Sequence, residues 1–463
     1  MTRFLLLAAL LLLAAGCASL TPDYQRPAAP VSKDWPAGPA YAETPPNLPD
    51  ADWRKFFLDE RLQKVLALAL ANNRDLRVAA LNIERARAQY RIQRSKLFPH
   101  VDAGASAIRQ RVPEDLSMTG QSMMSDQYGL NVGVTAWELD FFDRLGSLKD
   151  AALEQYLATE EARRAAQVAL LAEVADTWLV LLADRERLRL AQLTFDAQKS
   201  SWELVRSRHV IGIASELDVR EAQTRMESAR VDMARYLGLT AEDRNVLNAL
   251  VGAPVDSALL PDGLDAVALL NDIGPGLPSD TLLRRPDVLQ SEHFLKAMNA
   301  NIGAARAAFF PRITLTGTFG LASTSLNDLF QPESRAWTFM PQITVPIFDA
   351  GYNRANLAVA EADRAIALAR YERAIQQAFR EVANALVQRK STNDQFDAQQ
   401  SLVEASSEAY RLASARYQKE VDSYLNVLDA QRSLYTAQQG LITLRLTRLS
   451  SLVRLYATLG GGA

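Results

Sequence analysis

Residues able to do chemistry are scarce in this chain of 463. It holds one cysteine and three histidines, His100, His209 and His293, which lie far apart. No metal-ligand spacing links them, so no metal is expected, and one cysteine cannot form a disulfide within the chain. No glycine-rich loop is placed to cradle a phosphate, and no nucleophile stands beside a base and an acid. The chain is therefore not expected to be an enzyme. Met118, Met123 and Met124 read as incidental residues of a loop. Cys17 is different. It ends an apolar run, Phe4 to Ala15, that follows Arg3 and runs out in small residues. Such a run reads as a secretory signal over residues 1–16, too short to remain as a membrane helix. Leu13-Ala14-Ala15-Gly16-Cys17 has the form of a bacterial lipobox, with Ala14 where leucine is usual. Cleavage before Cys17 would free its sulfur and amine to carry a diacylglycerol and an acyl chain. Apart from that lipid no cofactor is expected. Ala18 follows, and an aspartate there would favour the inner membrane; its absence points to the outer one.

The elements that must position any site are few and long. Net charge is −3, so no basic face is offered to nucleic acid. Residues 17–50 are rich in Pro and Ala and read as an extended strap. Beyond them the chain contains two copies of one unit. Phe98-Pro99 recurs as Phe310-Pro311, and Glu173-Val174-Ala175-Asp176 as Glu381-Val382-Ala383-Asn384. Ser215, Leu217, Val219, Ala222 and Gln223 recur at the same later shift as Ser423, Leu425, Val427, Ala430 and Gln431. The first copy spans 51–254 and the second 287–463, with a linker over 255–286. Each begins with a helix that Phe-Pro stops, because a proline ring forbids continuation. Each ends in a very long helical stretch. Ser147 to Ile211 contains neither Gly nor Pro, enough for a rod of roughly 100 Å. Turns near Gly212 and near Glu420 would return antiparallel helices.

Between helix and rod lie the strands. Tyr128, Leu130, Val132, Val134 and Ala136 alternate with Gly129, Asn131, Gly133 and Thr135. Ile313 to Leu321 and Trp337 to Val345 alternate in the same way, and Val101, Ala103, Ala105 and Ala107 form a weaker series. The strands are placed at about 99–112, 126–141, 312–322 and 336–346. A period of two with one apolar face is the pattern of a transmembrane β-barrel. Tyr128, Trp137, Phe141, Phe142, Trp337 and Phe348 stand near segment ends, as interfacial aromatics do. Four strands cannot close a barrel, and open edges cannot stand in lipid. The chain is therefore expected to assemble with copies of itself in a ring; three copies, a homotrimer, would give a 12-stranded barrel with a lumen and a helical cylinder continuing it.

With these motifs in order, the sequence resembles the TolC-like outer-membrane factor family, in its OprM-type lipoprotein subgroup. Pro22-Asp23-Tyr24-Gln25-Arg26-Pro27, Asp52-Trp53-Arg54, Asn72-Asn73-Arg74-Asp75-Leu76 and Trp137-Glu138-Leu139-Asp140 carry the resemblance. So do Gly276-Leu277-Pro278-Ser279-Asp280, Arg284-Arg285-Pro286-Asp287 and Val427-Leu428-Asp429-Ala430-Gln431. The resemblance implies an efflux channel-tunnel in the outer membrane, docked through a periplasmic adaptor to an inner-membrane transporter and conducting drugs or other small toxic compounds passively. Export of metal ions or of protein through the same architecture stays open, as does, more remotely, a periplasmic adaptor lipoprotein. The family pattern implies a gate at the inner tips. Asp429 matches its constriction aspartate, Asn426 stands where some members carry a second one, and Tyr417 matches a latch tyrosine. Asp422 replaces the latch arginine. Asp218 and Glu221 are the first-copy counterparts. Ile211, Gly212, Ile213 and Ala214 match the motif that meets adaptor hairpins, and Glu420, in place of the expected glycine, with Val421 marks the second tip.

Overall fold

The computed structural model describes residues 19–41, 46–47, 53–118, 120–269, 274–275, 279–419 and 421–461. Cys17 with its signal segment, and Glu420, lie outside the described residues. Two compact units emerge, and each draws chain from both sequence copies. One comprises Met1–Ala28, Asn82–Glu160 and Gln290–Tyr371; the other comprises Ala29–Leu81, Glu161–Leu289 and Glu372–Ala463.

The first unit holds the sheet. Strands β1 (Val101–Val112), β2 (Met123–Leu139), β3 (Arg312–Ser323) and β4 (Arg335–Thr344) pair antiparallel in chain order. Register aligns the apolar residues into rows on one face, such as Ala103, Val132, Phe319 and Trp337. These side chains stand in the open, Phe319 at 65% and Trp337 at 75% exposure. Asp102, Gly133, Thr318 and Thr338 form a row on the other face. The alternation does not run unbroken along β2. A bulge lies between Val134 and Trp137, where Ala136 takes a φ of 50° and its amide donates to Thr316 Oγ1. The extra residue shifts parity, so Trp137 and Leu139 join the apolar rows that Ala136 was expected to continue.

Close approach between strands is confined to the polar face. A Cβ on Gly133 would lie 2.6 Å from Thr318 Cα, and one on Gly320 2.6 Å from Asn131 Cα. On the apolar face a Cβ on Gly317 would meet only Thr338 O, at 3.9 Å. The sheet therefore curls toward its polar side. Its outer edges, on β1 and β4, have no partner among the described residues.

Both copies leave the sheet through the same device. Asp140 accepts from the amides of Arg144 and Gly146 to open helix α3 (Arg144–Val210), whereas Asp349 accepts from Gly351 and Asn353 to open α6 (Tyr352–Gln418). Not every aromatic at a strand end faces outward: Phe142 stacks on Phe310 at 4.6 Å, and Trp137 Nε1 donates to Leu97 O. Glu292, on α5 (Pro286–Ala307), is buried and accepts from Tyr24 and Arg26 of the strap.

The second unit holds the main core. Helices α1 (Glu60–Asn72), α4 (Glu216–Val251), α7 (Tyr424–Thr458) and the middle of α3 bury Leu62, Leu66, Leu171, Trp178, Leu182, Leu247 and Tyr456 together. Helix α2 (Arg74–Ser95) follows α1 after Asn73, whose side chain accepts from Leu76 N and donates to Leu250 O. The linker is clamped to α3 and α7: Glu186 accepts from Leu264 N and from Arg445.

A carboxyl pair stands between α3 and α4. Asp184 is buried and bound by Arg187 at 2.6 Å, and Arg187 also reaches Thr443 of α7 at 2.9 Å. Across from it, burial and then the Asp184 charge push the Asp243 carboxyl up to about 6. The folded protein thus holds a proton that the unfolded chain gives up at about pH 4. Stability falls as pH rises from about 4 through 6, because the folded state binds more protons over that window. Asp243→Asn should remove this cost. Its thermal midpoint at neutral pH should rise by on the order of a few degrees, and the slope between about pH 4 and 6 should flatten. An unchanged melting profile across that window would show that the pair is ionised without penalty.

Candidate gate and docking tips

The first tip is the turn between α3 and α4. Gly212 takes φ 80°, its amide bonds to His209 O at 2.9 Å, and Ile213 N reaches Arg208 O at 2.9 Å. A left-handed glycine closing a helix end is what such a turn requires. Ile211 and Ile213 are 68% and 71% exposed, with Gly212 and Ala214 completing the turn. Ser215 then caps α4 in a capping box with Asp218. Asp218 is therefore committed to its own helix start. Hydrogen bonds from the Ser215 side chain and amide hold its carboxyl below the ordinary range.

The second tip joins α6 to α7. Val421 N bonds to Arg416 O at 3.0 Å, and the Val421 side chain is 59% exposed. Arg416 ion-pairs with Asp422, which also receives the Asn426 side chain and is held below the usual carboxylate range by the arginine. Ser423 stands at the N-cap of α7 but makes no side-chain cap bond. Asn426, in the place of Asp218, thus serves Asp422 instead of a capping box.

Tyr417 has a partner that sequence reading missed. Its hydroxyl accepts from Arg208 Nη1 at 2.6 Å, and the same guanidinium lies 5.8 Å above its ring. The ring in turn meets Tyr424 at 5.1 Å. The arginine expected on the second tip is supplied by the first. A signal was present, since Arg208 falls on Arg416 under the shift relating the copies. Asp429 stands on the second turn of α7, half exposed, 3.3 Å from Arg432. Glu221 lines a groove of about 580 Å³ with Leu217, Arg220, Leu425, Arg432 and Tyr435. Within one chain the acids are not brought together, so a charged collar requires further copies. Among the described residues no group of three or more His, Cys, Asp or Glu side chains could hold a metal.

A family model described as outer membrane efflux protein matches residues 65–253 and again residues 277–461. The chain belongs to the outer membrane efflux protein family. The second match begins at residue 277, inside the stretch read as the linker. The toluene efflux pump outer membrane protein TtgC of Pseudomonas putida is 48% identical over 466 residues, spanning 100% of this chain and 96% of that protein. The antibiotic efflux pump outer membrane protein ArpC of Pseudomonas putida shows the same identity and coverage. Among solved structures, the open state of the MtrE outer membrane channel of Neisseria gonorrhoeae superimposes with a TM-score of 0.87. It is 37% identical, over 96% of this chain and 98% of that one. The protein is thus the outer-membrane component of an efflux pump. Its fold class is that of the TolC-like channels, mixed α and β with four barrel strands per chain in a trimer.

Proposed function

We propose that the trimer conducts small toxic organic molecules passively across the outer membrane, and that its helical tips dock a periplasmic adaptor joined to an inner-membrane transporter. One observation carries the conduction: a four-stranded sheet with open edges, apolar rows on its outward face and a concave polar face. Three such sheets joined edge to edge leave no unpaired strand and enclose a polar lumen. The exposed apolar tips, Ile211, Ile213 and Val421, offer the surface an adaptor hairpin would cover. Two relatives named for toluene and antibiotic efflux favour small organic cargo over metal ions or protein. Cys17, lipidated, would tether each chain to the membrane beside the barrel. Asp429 would form the inner collar.

Native mass measurement on detergent-extracted protein, followed by bilayer recording of the same sample, tests this reading. The expected mass is three chains, each beginning at a triacylated Cys17, and the expected trace shows discrete conductance steps. A silent bilayer would sink the conduction. A chain that is unlipidated would remove the anchor alone.

A further inference from the structure

Where the sheet meets its helices, a cavity of about 690 Å³ stays open. The ends of β2, β3 and β4 roof it, and α3, α5 and α6 wall it. Its sheet residues include Glu138, Arg312 and Thr344, all from the polar rows. From the apolar rows only Leu139, at the very end of β2, touches it; Ile313 and Ile343 beside it do not. The cavity therefore opens on the concave side of the sheet, toward the lumen. Its size falls within the roughly 300–1,000 Å³ of sites that hold drug-sized molecules. One part of the lining is aromatic: Phe142 stacks on Phe310, which is still 41% exposed, and Phe141 stands beside them. The other part is cationic. Glu138 is buried and held by Arg144 through two bonds of 2.8 and 2.7 Å, and Arg312 Nε lies 2.8 Å away on the other side. One carboxylate thus answers two guanidinium groups, and a positive charge is left over.

We propose that this cavity is a resting site for amphipathic organic anions, with Arg312 taking a carboxylate or sulfonate head and the Phe142–Phe310 pair taking the apolar body. Arg312 suits the first task. Its side chain is 59% exposed, and its terminal nitrogens make no ion pair or hydrogen bond among the described residues. A planar fork of N–H donors matches a carboxylate or sulfonate edge. The other acids of the lining do not cancel it. Asp140 spends its oxygens on the amides of Arg144 and Gly146. Asp363 stands about 16 Å along α6 from Tyr352, away from the sheet. A half-solvated guanidinium gives a weak hold, which suits a conduit, because cargo must leave as readily as it enters. In the trimer each chain would set one such site beside the lumen, at the foot of the barrel.

The meaning of the site for cargo rests on the proposed conduction; the binding does not. Equilibrium dialysis of naphthalene sulfonate against the full-length trimer in lipid nanodiscs, with empty nanodiscs as the blank, tests it. Saturable binding of one molecule per chain is expected, weakening as salt is raised. Naphthalene methanol, of like size and uncharged, should bind about tenfold more weakly. Arg312→Gln should weaken sulfonate binding about tenfold, the scale of one charged hydrogen-bonding group, and Arg312→Lys should fall between. Ala304→Phe fills the cavity from α5 and leaves Glu138 and both arginines in place, so it should abolish binding. Should Arg312→Gln fail to form trimers, Ala304→Phe decides. Absence of saturable binding in the wild type, or binding unchanged in Ala304→Phe, would overturn the site. Equal binding of the alcohol and the sulfonate would overturn the preference for anions. Saturable binding by a trimer that is silent in bilayers would keep the site and count against conduction alone.

Discussion

Alanine at position 320 should abolish the trimer. Gly320 lies opposite Asn131 in the central ladder between β2 and β3. A Cβ there would lie 2.6 Å from Asn131 Cα and closer still to the Leu130 carbonyl oxygen. All the crowding atoms belong to backbone, so no side-chain rotation relieves it. The strands must part, and in lipid each amide left without a partner costs several kcal/mol. Ladder pairing is cooperative, so the loss spreads beyond one residue. We expect heat-resistant trimers in outer-membrane fractions to fall at least about tenfold, a deficit of roughly 1.4 kcal/mol or more. Gly317→Ala supplies the control. Its Cβ would meet nothing nearer than Thr338 O at 3.9 Å, and trimer levels should match the wild type. Equal trimer yields from both variants would mean that the sheet curls less tightly than these distances require.

That glycine illustrates which parts of the fold can be read in advance. Alternation of apolar and polar residues is local and period two, so the apolar rows of β2, β3 and β4 were visible in the sequence. Proline after phenylalanine ends a helix by sterics alone, which placed the starts of both strand pairs near Pro99 and Pro311. The bulge at Ala136 had no such signal, because an alanine at positive φ gives no sign in composition. The closeness at Gly133 and Gly320 depends on how two strands curl against each other, which neither strand encodes alone. The compact units were hidden for a similar reason: a long helix such as α3 supplies residues to both, and contact follows packing, not duplication.

The candidate gate divides the same way. Ser215 and Asp218 form a capping box at the spacing that the pattern demands, so that bond was legible in the sequence. Arg208 and Tyr417 are far apart in sequence and meet only because two hairpins pack side by side. Asp422, read as a lost arginine, became instead the counter-charge of Arg416. Family pattern identified where the charges sit; only geometry assigned their partners.

Partnership also decides what Asp429 does. With Arg432 at 3.3 Å, each chain would present an acid and a base to the collar. Both side chains are more than half exposed, so the pair is weak and screened, and neither charge cancels the other fully. Three copies around one axis would repeat the arrangement, and like charges would reinforce across the proposed opening. Asp429→Ala therefore does more than remove an acid, because it leaves three arginines unopposed. In planar bilayers, conductance should rise, block by multivalent cations should weaken, and the reversal potential in a salt gradient should move toward anions. Arg432→Ala should move it the other way. Opposite shifts of several-fold in the permeability ratio correspond to about 1 kcal/mol, a fair scale for charges in this setting. Both effects should shrink at high salt, where screening shortens to about 3 Å. If both substitutions leave the reversal potential where it was, the collar lies elsewhere on the tips, and Glu221, which lines the groove beside Arg432, becomes the acid to test.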